Sequence, residues 1–170
     1  MAIRLDEVDI QLLAALQADA DRTNVQLARL TGLSPAATLH RVRALKDSGI
    51  IRIIRADIDP AAAGFALQVF VTTTLTRHDP RHERAFEDQV RALPQVLWAE
   101  GIAGETDYLL SIVARDVIEL QQVLSRLAAR GARIVTYLRL REVKPMSPLP
   151  LGPTPMPAAP RSPRSREPGQ

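Results

Sequence analysis

The stretch Thr23-Asn24-Val25-Gln26-Leu27-Ala28-Arg29-Leu30-Thr31-Gly32-Leu33-Ser34-Pro35-Ala36-Ala37-Thr38-Leu39-His40-Arg41-Val42-Arg43-Ala44-Leu45 decides how the first third of the chain folds. Val25, Leu27, Ala28 and Leu30 supply the apolar residues of a short helix, with Thr23 or Asn24 as its cap. Gly32 stops that helix, because the left-handed conformation that closes a helix costs glycine little. Ser34-Pro35 starts another: serine caps it, and proline at the first helical position gives up no needed hydrogen bond. Leu39, Val42 and Leu45 then recur toward a core, and Gly49 ends the helix. Upstream, Asp6 caps a helix over residues 7–18, with Asp9 favourable in its first turn and Val8, Leu12, Leu13 and Leu16 at helical spacing. Three short helices, with the break at Gly32 to Pro35 between the second and third, make a helix-turn-helix.

Beyond Gly49 the pattern changes. Ile50 to Ile58 is rich in β-branched residues and reads as an extended wing or linker strand. Leu67–Leu75 reads as a strand, Arg81–Ala92 as a helix, and Val96–Ile102 with Tyr108–Ala114 as a hairpin around residues 103–107. Val117–Ala129 follows as a helix and Arg133–Val143 as a last strand. The order β-α-β-β-α-β is that of a ferredoxin-like sheet, whose small core leaves one face wanting a partner. From Pro145 onward nine of 26 residues are proline, which predicts a disordered tail. The expected fold is therefore α+β. A winged helix-turn-helix occupies residues 1–50 and a linker residues 51–64, with a ferredoxin-like βαββαβ domain over 65–144 and a tail over 145–170.

Composition narrows the chemistry. With no cysteine, disulfides, thiolate metal sites and cysteine nucleophiles are excluded, and the scattered His40, His78 and His82 do not form a metal cluster. No cofactor is expected. The opening Met1-Ala2-Ile3-Arg4-Leu5-Asp6 does not read as a signal peptide, and no apolar run is long enough to span a membrane, so a cytoplasmic protein is expected. The net charge of +3 is unevenly spread. Arg22, Arg29, Arg41, Arg43, Lys46, Arg52 and Arg55 face one acid, Asp47, between residues 22 and 55, whereas residues 1–21 carry five acids and one arginine. A basic block of this kind suits a polyanion such as double-stranded DNA, since each phosphate contact releases counterions.

In a helix-turn-helix the second helix of the pair enters the major groove and presents its N-terminal residues to base edges. With Leu39, Val42 and Leu45 turned inward, the opposite face carries Ala36, Ala37, His40, Arg41 and Ala44. Arg41 is expected to bond guanine O6 and N7, and an alanine methyl to touch thymine. Ser34, Thr38 and Arg43 are placed for phosphates, and Asn24 and Pro35 complete the DNA-binding set. Three-helix clusters also serve as protein-interaction modules, and a histidine such as His40 on an exposed helix is commonly just solvated.

These residues together resemble the Lrp/AsnC (leucine-responsive, feast-or-famine) family of transcription factors over about residues 4–144. The resemblance rests on Leu5-Asp6-x-x-Asp9 with Ile10-x-Leu12-Leu13, Leu16-Gln17-x-Asp19, Asn24-Val25-x-Leu27-Ala28 and Gly32-Leu33-Ser34-Pro35. Arg41-Val42-x-x-Leu45 and Gly49-Ile50-Ile51 continue it. In the second domain it includes Phe86, Pro94-x-Val96, Gly104-x-x-Asp107-Tyr108-Leu109-Leu110 and Glu142-Val143-Lys144. The resemblance implies a RAM-type second domain and a homodimer built through linker strands and sheets, assembled further into a tetramer or octamer. It also implies a nucleoid-associated regulator and a small-molecule effector, an amino acid or a relative of one, bound where dimers meet. Carried over by position, Ala103, Gly104, Glu105, Thr106 and Asp107 form the effector loop, and Thr136, Tyr137 and Leu138 contribute from the last strand. The chemistry fits, since Asp107 can accept from an ammonium and loop N–H groups can hold a carboxylate. Read alone, the same residues equally close a hairpin.

Two other classes fit less well. A sensing module without DNA has no use for the Ser34–Lys46 helix and its basic flank. An enzyme resembling the siroheme decarboxylases would place histidines around the hairpin, where this chain has Trp98, Glu100, Glu105 and Asp107. Glu105 and Asp107 could do acid-base work only with a third group to position them, and the sequence supplies none. The chain is expected not to be an enzyme.

Overall fold

Capping chemistry sets the helices of the first part of the chain. In the computed structural model, which describes residues 5–129 and 131–151, Asp6 and Asp9 cap α1 (Glu7–Ala18) reciprocally. The Asp9 N–H donates to Asp6 Oδ1 at 2.8 Å and the Asp6 N–H to Asp9 Oδ2 at 3.3 Å. Thr23 and Gln26 do the same for α2 (Asn24–Thr31), so Thr23 is the cap and Asn24 the first helical residue. Gly32 closes α2 at φ 70°, and Ser34 opens α3 (Pro35–Asp47) by accepting from the Ala37 N–H at 3.2 Å. Leu12, Leu13, Leu27, Val42 and Leu45 form the buried cluster of this part.

The remaining elements are β1 (Leu67–Leu75), α4 (Pro80–Ala92), β2 (Val96–Gly101), β3 (Tyr108–Ala114), α5 (Val117–Ala128) and β4 (Ala132–Leu138). They build one antiparallel sheet in the order β2-β3-β1-β4. Alternate strand residues Val69, Val71, Leu75, Leu110 and Ile112 point at the helices and pack with Phe86, Val90, Val123 and Leu127. Asp79 and Asp116 cap the two helices. No helix among the described residues is long and apolar enough to cross a membrane.

The chain divides into two units, residues up to 55 together with those from 146, and residues 56–145. Three expectations change. Ile50 to Ile58 forms no strand, because a strand needs a hydrogen-bonded neighbour and none lies alongside it among the described residues; Ile53, Ile54 and Ile58 are left exposed. The last strand ends at Leu138 rather than Val143, because its partner β1 begins at Leu67; one further bond, from the Arg139 N–H to the Gln68 carbonyl, ends the ladder. The tail does not begin without structure at Pro145, since Leu149 and Leu151 contact the first unit. The rest of the expected tail, which includes Arg161, Arg164 and Arg166, lies outside the described residues.

Candidate functional site

The exposed side of α3 follows from helical periodicity. Ala36, His40, Arg43 and Asp47, at i, i+4, i+7 and i+11, share one solvent-facing stripe, with Ala37 and Ala44 beside it. Ser34 and Pro35 are exposed at its start, and Asn24 is half-buried at the start of α2. The structure thus brings Ser34, Pro35, Ala36, Ala37, His40 and Arg43 onto one surface.

Two residues expected there are elsewhere. Thr38 is completely buried, and its hydroxyl donates to the Ser34 carbonyl at 3.0 Å, so it cannot reach a phosphate. One turn of helix separates it from Val42 and two from Leu45, which places it on the core side. Arg41 lies at the flank of α3 against α1. Its Nη1 donates to Asp6 Oδ2 at 2.6 Å and to Asp9 Oδ1 at 2.9 Å, so the guanidinium expected to read a base is occupied by the two carboxylates that cap α1. The Asp9 N–H and then the Arg41 guanidinium hold the Asp6 carboxyl below its ordinary value, and the two carboxylates raise Arg41. In this structure Arg41 therefore ties α3 to α1. The ion pair spans more than thirty residues of sequence, which is why local spacing could not find it.

Charge on this unit is uncompensated in a defined place. Among the described residues, Arg29, Arg43, Lys46, Arg52 and Arg55 have no acidic partner within ion-pair distance, whereas Arg22 faces Asp19 at 3.6 Å and Arg41 is neutralised. Arg43 and Lys46 belong to α3 itself. A net positive surface around an exposed helix is suited to a polyanion.

The second candidate site is the β2–β3 turn. Ala103, Gly104 and Glu105 are exposed, and Gly104 at φ 148° occupies backbone space that favours glycine. Thr106 and Asp107 are half-buried. The Asp107 N–H donates to the Thr73 carbonyl at 2.9 Å, and Asp107 Oδ2 accepts from the Leu75 N–H at 2.7 Å. Half of that carboxylate thus tethers the turn to β1, leaving Oδ1 for other work. His78 Nδ1 stands 3.9 Å from Asp107 Oδ2 and is the added polar neighbour that sequence spacing did not indicate.

The two halves of the expected effector site do not converge within one chain. Thr136 pairs with Val71 and Leu138 with Val69, whereas the turn lies beyond the Thr73↔Tyr108 pair. Strand spacing and rise put Thr136 and Leu138 roughly 12 to 17 Å from Tyr108, and farther from the turn itself. Tyr137 also pairs with Phe70 on the sheet face opposite to Thr136 and Leu138, because consecutive strand residues alternate. That face is open: the Phe70 and Trp98 rings meet at a tilt, with centroids 6.2 Å apart, and Val135 and Tyr137 are exposed beside them. The described residues contain no cluster of three or more His, Cys, Asp or Glu able to hold a metal.

Comparison with known proteins matches both parts. Residues 5–52 match the family described as winged helix-turn-helix DNA-binding, and residues 68–149 the Lrp/AsnC ligand binding domain. The leucine-responsive regulatory protein of Rhizobium meliloti is 34% identical over 145 residues, covering 84% of this chain and 93% of that protein. The glutamate uptake regulatory protein of Zymomonas mobilis is 31% identical, covering 89% of this chain and 93% of that protein. A transcriptional regulator of Neisseria meningitidis, solved as a complex with L-Met, superposes with a TM-score of 0.79 at 32% identity, covering 87% of this chain and 97% of that one.

Proposed function

Since the chain belongs to the Lrp/AsnC family of DNA-binding transcriptional regulators, we propose that it reads an operator through Ala36, Ala37, His40 and Arg43 under the control of an amino-acid effector. The carrying observation is the exposed stripe of α3 with Arg43 on it and Lys46 to one side, neither of them paired with an acid among the described residues, and neither are Arg29, Arg52 and Arg55 of the same unit. Ser34 and Pro35 bring the helix N-terminus to the backbone, where its dipole favours phosphate, and Asn24 adds a polar contact from α2. The reading has no catalytic step and needs no cofactor.

The second unit works as a homodimer. The open face carrying Phe70, Trp98, Val135 and Tyr137 suits a second copy, and pairing of the Ile50 to Ile58 segments would satisfy their backbone groups. Further assembly to a tetramer or octamer supplies the missing half of the effector site. Asp107 Oδ1 with His78 from one copy, and Thr136, Tyr137 or Leu138 from another, hold an amino acid between them. An effector bound there favours one assembly over another, and so changes how many half-sites are engaged at once. Two recognition helices per dimer occupy successive major grooves about 34 Å apart. The protein acts in the cytoplasm, on the nucleoid.

The experiment is a titration of the purified chain against its own upstream region and a scrambled duplex at two salt concentrations. Preference for the upstream duplex, altered by added leucine, methionine or glutamate, is the expected result. Equal, strongly salt-dependent binding would make the protein a nonspecific binder, and no binding at either salt would leave a sensing module without DNA.

A further inference from the structure

Strand pairing gives β2 a helix-facing side that the helices do not cover. Val96, Ala99 and Gly101 stand opposite Ile112, Leu110 and Tyr108, whose side chains pack into the helix-side core. Residues opposed across a ladder share a face, so all three belong on the helix side. Ala99 and Gly101 nevertheless remain exposed. β2 is an edge strand, and at these two positions it offers only a methyl group and a hydrogen beside the larger Leu110 and Tyr108. The result is a cleft of about 370 Å³ between α4 and β2, within the roughly 300–1,000 Å³ of small-molecule sites. Its walls are aromatic. Phe86 from α4 and Tyr108 from β3 meet with ring centroids 4.9 Å apart, and Trp98 lines the cleft from β2. The ladder shifts register between Val96 and Trp98, and a shift of this kind re-aims a side chain. Trp98 thus serves two surfaces, meeting Phe70 on the open face while lining the cleft.

The polar rim is acidic. Glu87 and Arg91 line the cleft one helical turn apart, but Arg91 is held by two carboxylates, Glu87 Oε2 at 2.7 Å and Asp88 Oδ1 at 2.8 Å. These three side chains leave a net negative charge, and Glu83 stands one turn before Glu87 on the same helix. The charge is felt inside the cleft: burial, and then the charges of Glu87, Glu83 and Asp107, hold the Tyr108 hydroxyl above its ordinary value. We propose that this cleft binds a small organic amine, with its apolar body between Phe86, Tyr108 and Trp98 and its ammonium at Glu87. An ammonium is attracted both by a carboxylate and by the faces of aromatic rings. A carboxylate on the same ligand is disfavoured, because Glu87 and Asp88 already occupy Arg91 and repel a further negative charge. The cleft is complete within one chain, unlike the effector site proposed at the β2–β3 turn, and it takes a cation rather than a zwitterion.

Trp98 is the single tryptophan of the chain and reports on the cleft it lines. The full chain is titrated with 2-phenylethylamine while Trp98 fluorescence and the heat of binding are followed. No DNA is present, so the outcome is independent of the regulator reading. A saturable change in both signals is expected. Glu87→Gln keeps the shape of the side chain and removes its charge, and should weaken binding roughly ten- to a hundredfold, the worth of one hydrogen bond to a charged group. Gly101→Val should abolish binding while the thermal transition of the second unit stays in place. A Cβ at that position meets its nearest neighbours, the Asp107 carbonyl and Tyr108 Cε1, at 4.0 Å, and valine suits a strand. Phenylalanine, which adds a carboxylate to the same skeleton, should fail to displace the amine. An absent heat of binding, or equal affinity in Glu87→Gln, overturns the proposal. A fluorescence change that persists in Gly101→Val arises on the sheet face beside Phe70 and overturns it too, as does displacement of the amine by an equal concentration of phenylalanine.

Discussion

The first unit completes its core within one chain, whereas the second builds an equally well buried core and leaves the other face of its sheet open. In the first, Leu12, Leu27, Val42 and Leu45 are enclosed by three helices whose ends are capped by their own neighbours. In the second, Phe86 and Leu110 are buried on the helix side while Phe70, Trp98 and Tyr137 face solvent on the other. The contrast matches the two tasks. A DNA-reading surface is one helix deep and can be finished by local structure. On the proposed reading, the effector site takes its second half from another copy.

Core truncations should separate the units most sharply. Leu12→Ala and Phe86→Ala each remove a fully enclosed side chain, with expected losses of about 2–5 and 3–5 kcal/mol. Followed by calorimetry, Leu12→Ala should lower the transition of the first unit and abolish DNA binding while the oligomer persists. Phe86→Ala should lower the other transition and dissociate the oligomer. One shared transition, displaced equally by both, would show that the units do not fold independently.

The next effect is on assembly. Tyr137→Asp places a carboxylate on the open face opposite Phe70, and a charge buried there without a partner should weaken the dimer by roughly 10²–10³-fold. Sedimentation should then find monomers at concentrations where the unaltered chain is paired. A Tyr137→Asp chain that still sediments as a dimer would move the interface off the sheet. Smaller again is the DNA surface. Arg43→Ala should cost about 1–3 kcal/mol on the upstream duplex if the side chain reads a base, and should only reduce the salt slope by about 1 if it contacts phosphate. Discrimination against scrambled DNA separates the two.

What could be read from sequence divides along the same line. The helix caps at Asp6 and Ser34 and the stop at Gly32 were legible, and the second cap was narrowed to Thr23 or Asn24, because a cap acts within three residues of itself. β1 and β3 were legible end to end, since both alternate or run apolar between clear breaks. Everything that depended on a distant partner was not. Among the described residues Ile50 to Ile58 has strand composition but no strand beside it, and β4 stops where β1 begins. Thr136, Tyr137 and Leu138 were carried over together from the resemblance, although alternation sends them to two faces. Asp107 was identified as polar and available, but its tether to the Leu75 N–H lies 32 residues away. Gln17 and Leu149 are 132 residues apart, and nothing in a proline-rich composition points from one to the other.

Arg41 gives the smallest effect and the most direct check on the reassignment of the recognition helix. Asp6 is held below the ordinary aspartate value of 3.8 in the folded chain, so it contributes stability that is fully present above that value and is lost as pH falls through the lowered one. The larger cause is the Asp9 N–H, which Arg41→Ala leaves in place; the Arg41 guanidinium is the next. Arg41→Ala should therefore lower the thermal transition of the first unit modestly at pH 7 and make it less sensitive to acid below pH 4, without flattening that dependence completely. Its effect on DNA should be a similar loss on upstream and scrambled duplexes, because a loosened α3 presents every contact less well. If Arg41→Ala instead leaves the acid dependence intact and selectively weakens the upstream duplex, then Asp6 and Asp9 release the guanidinium on DNA. Arg41 would then read a base after all, and the boundary between the scaffold of the first unit and its reading surface would shift by one residue.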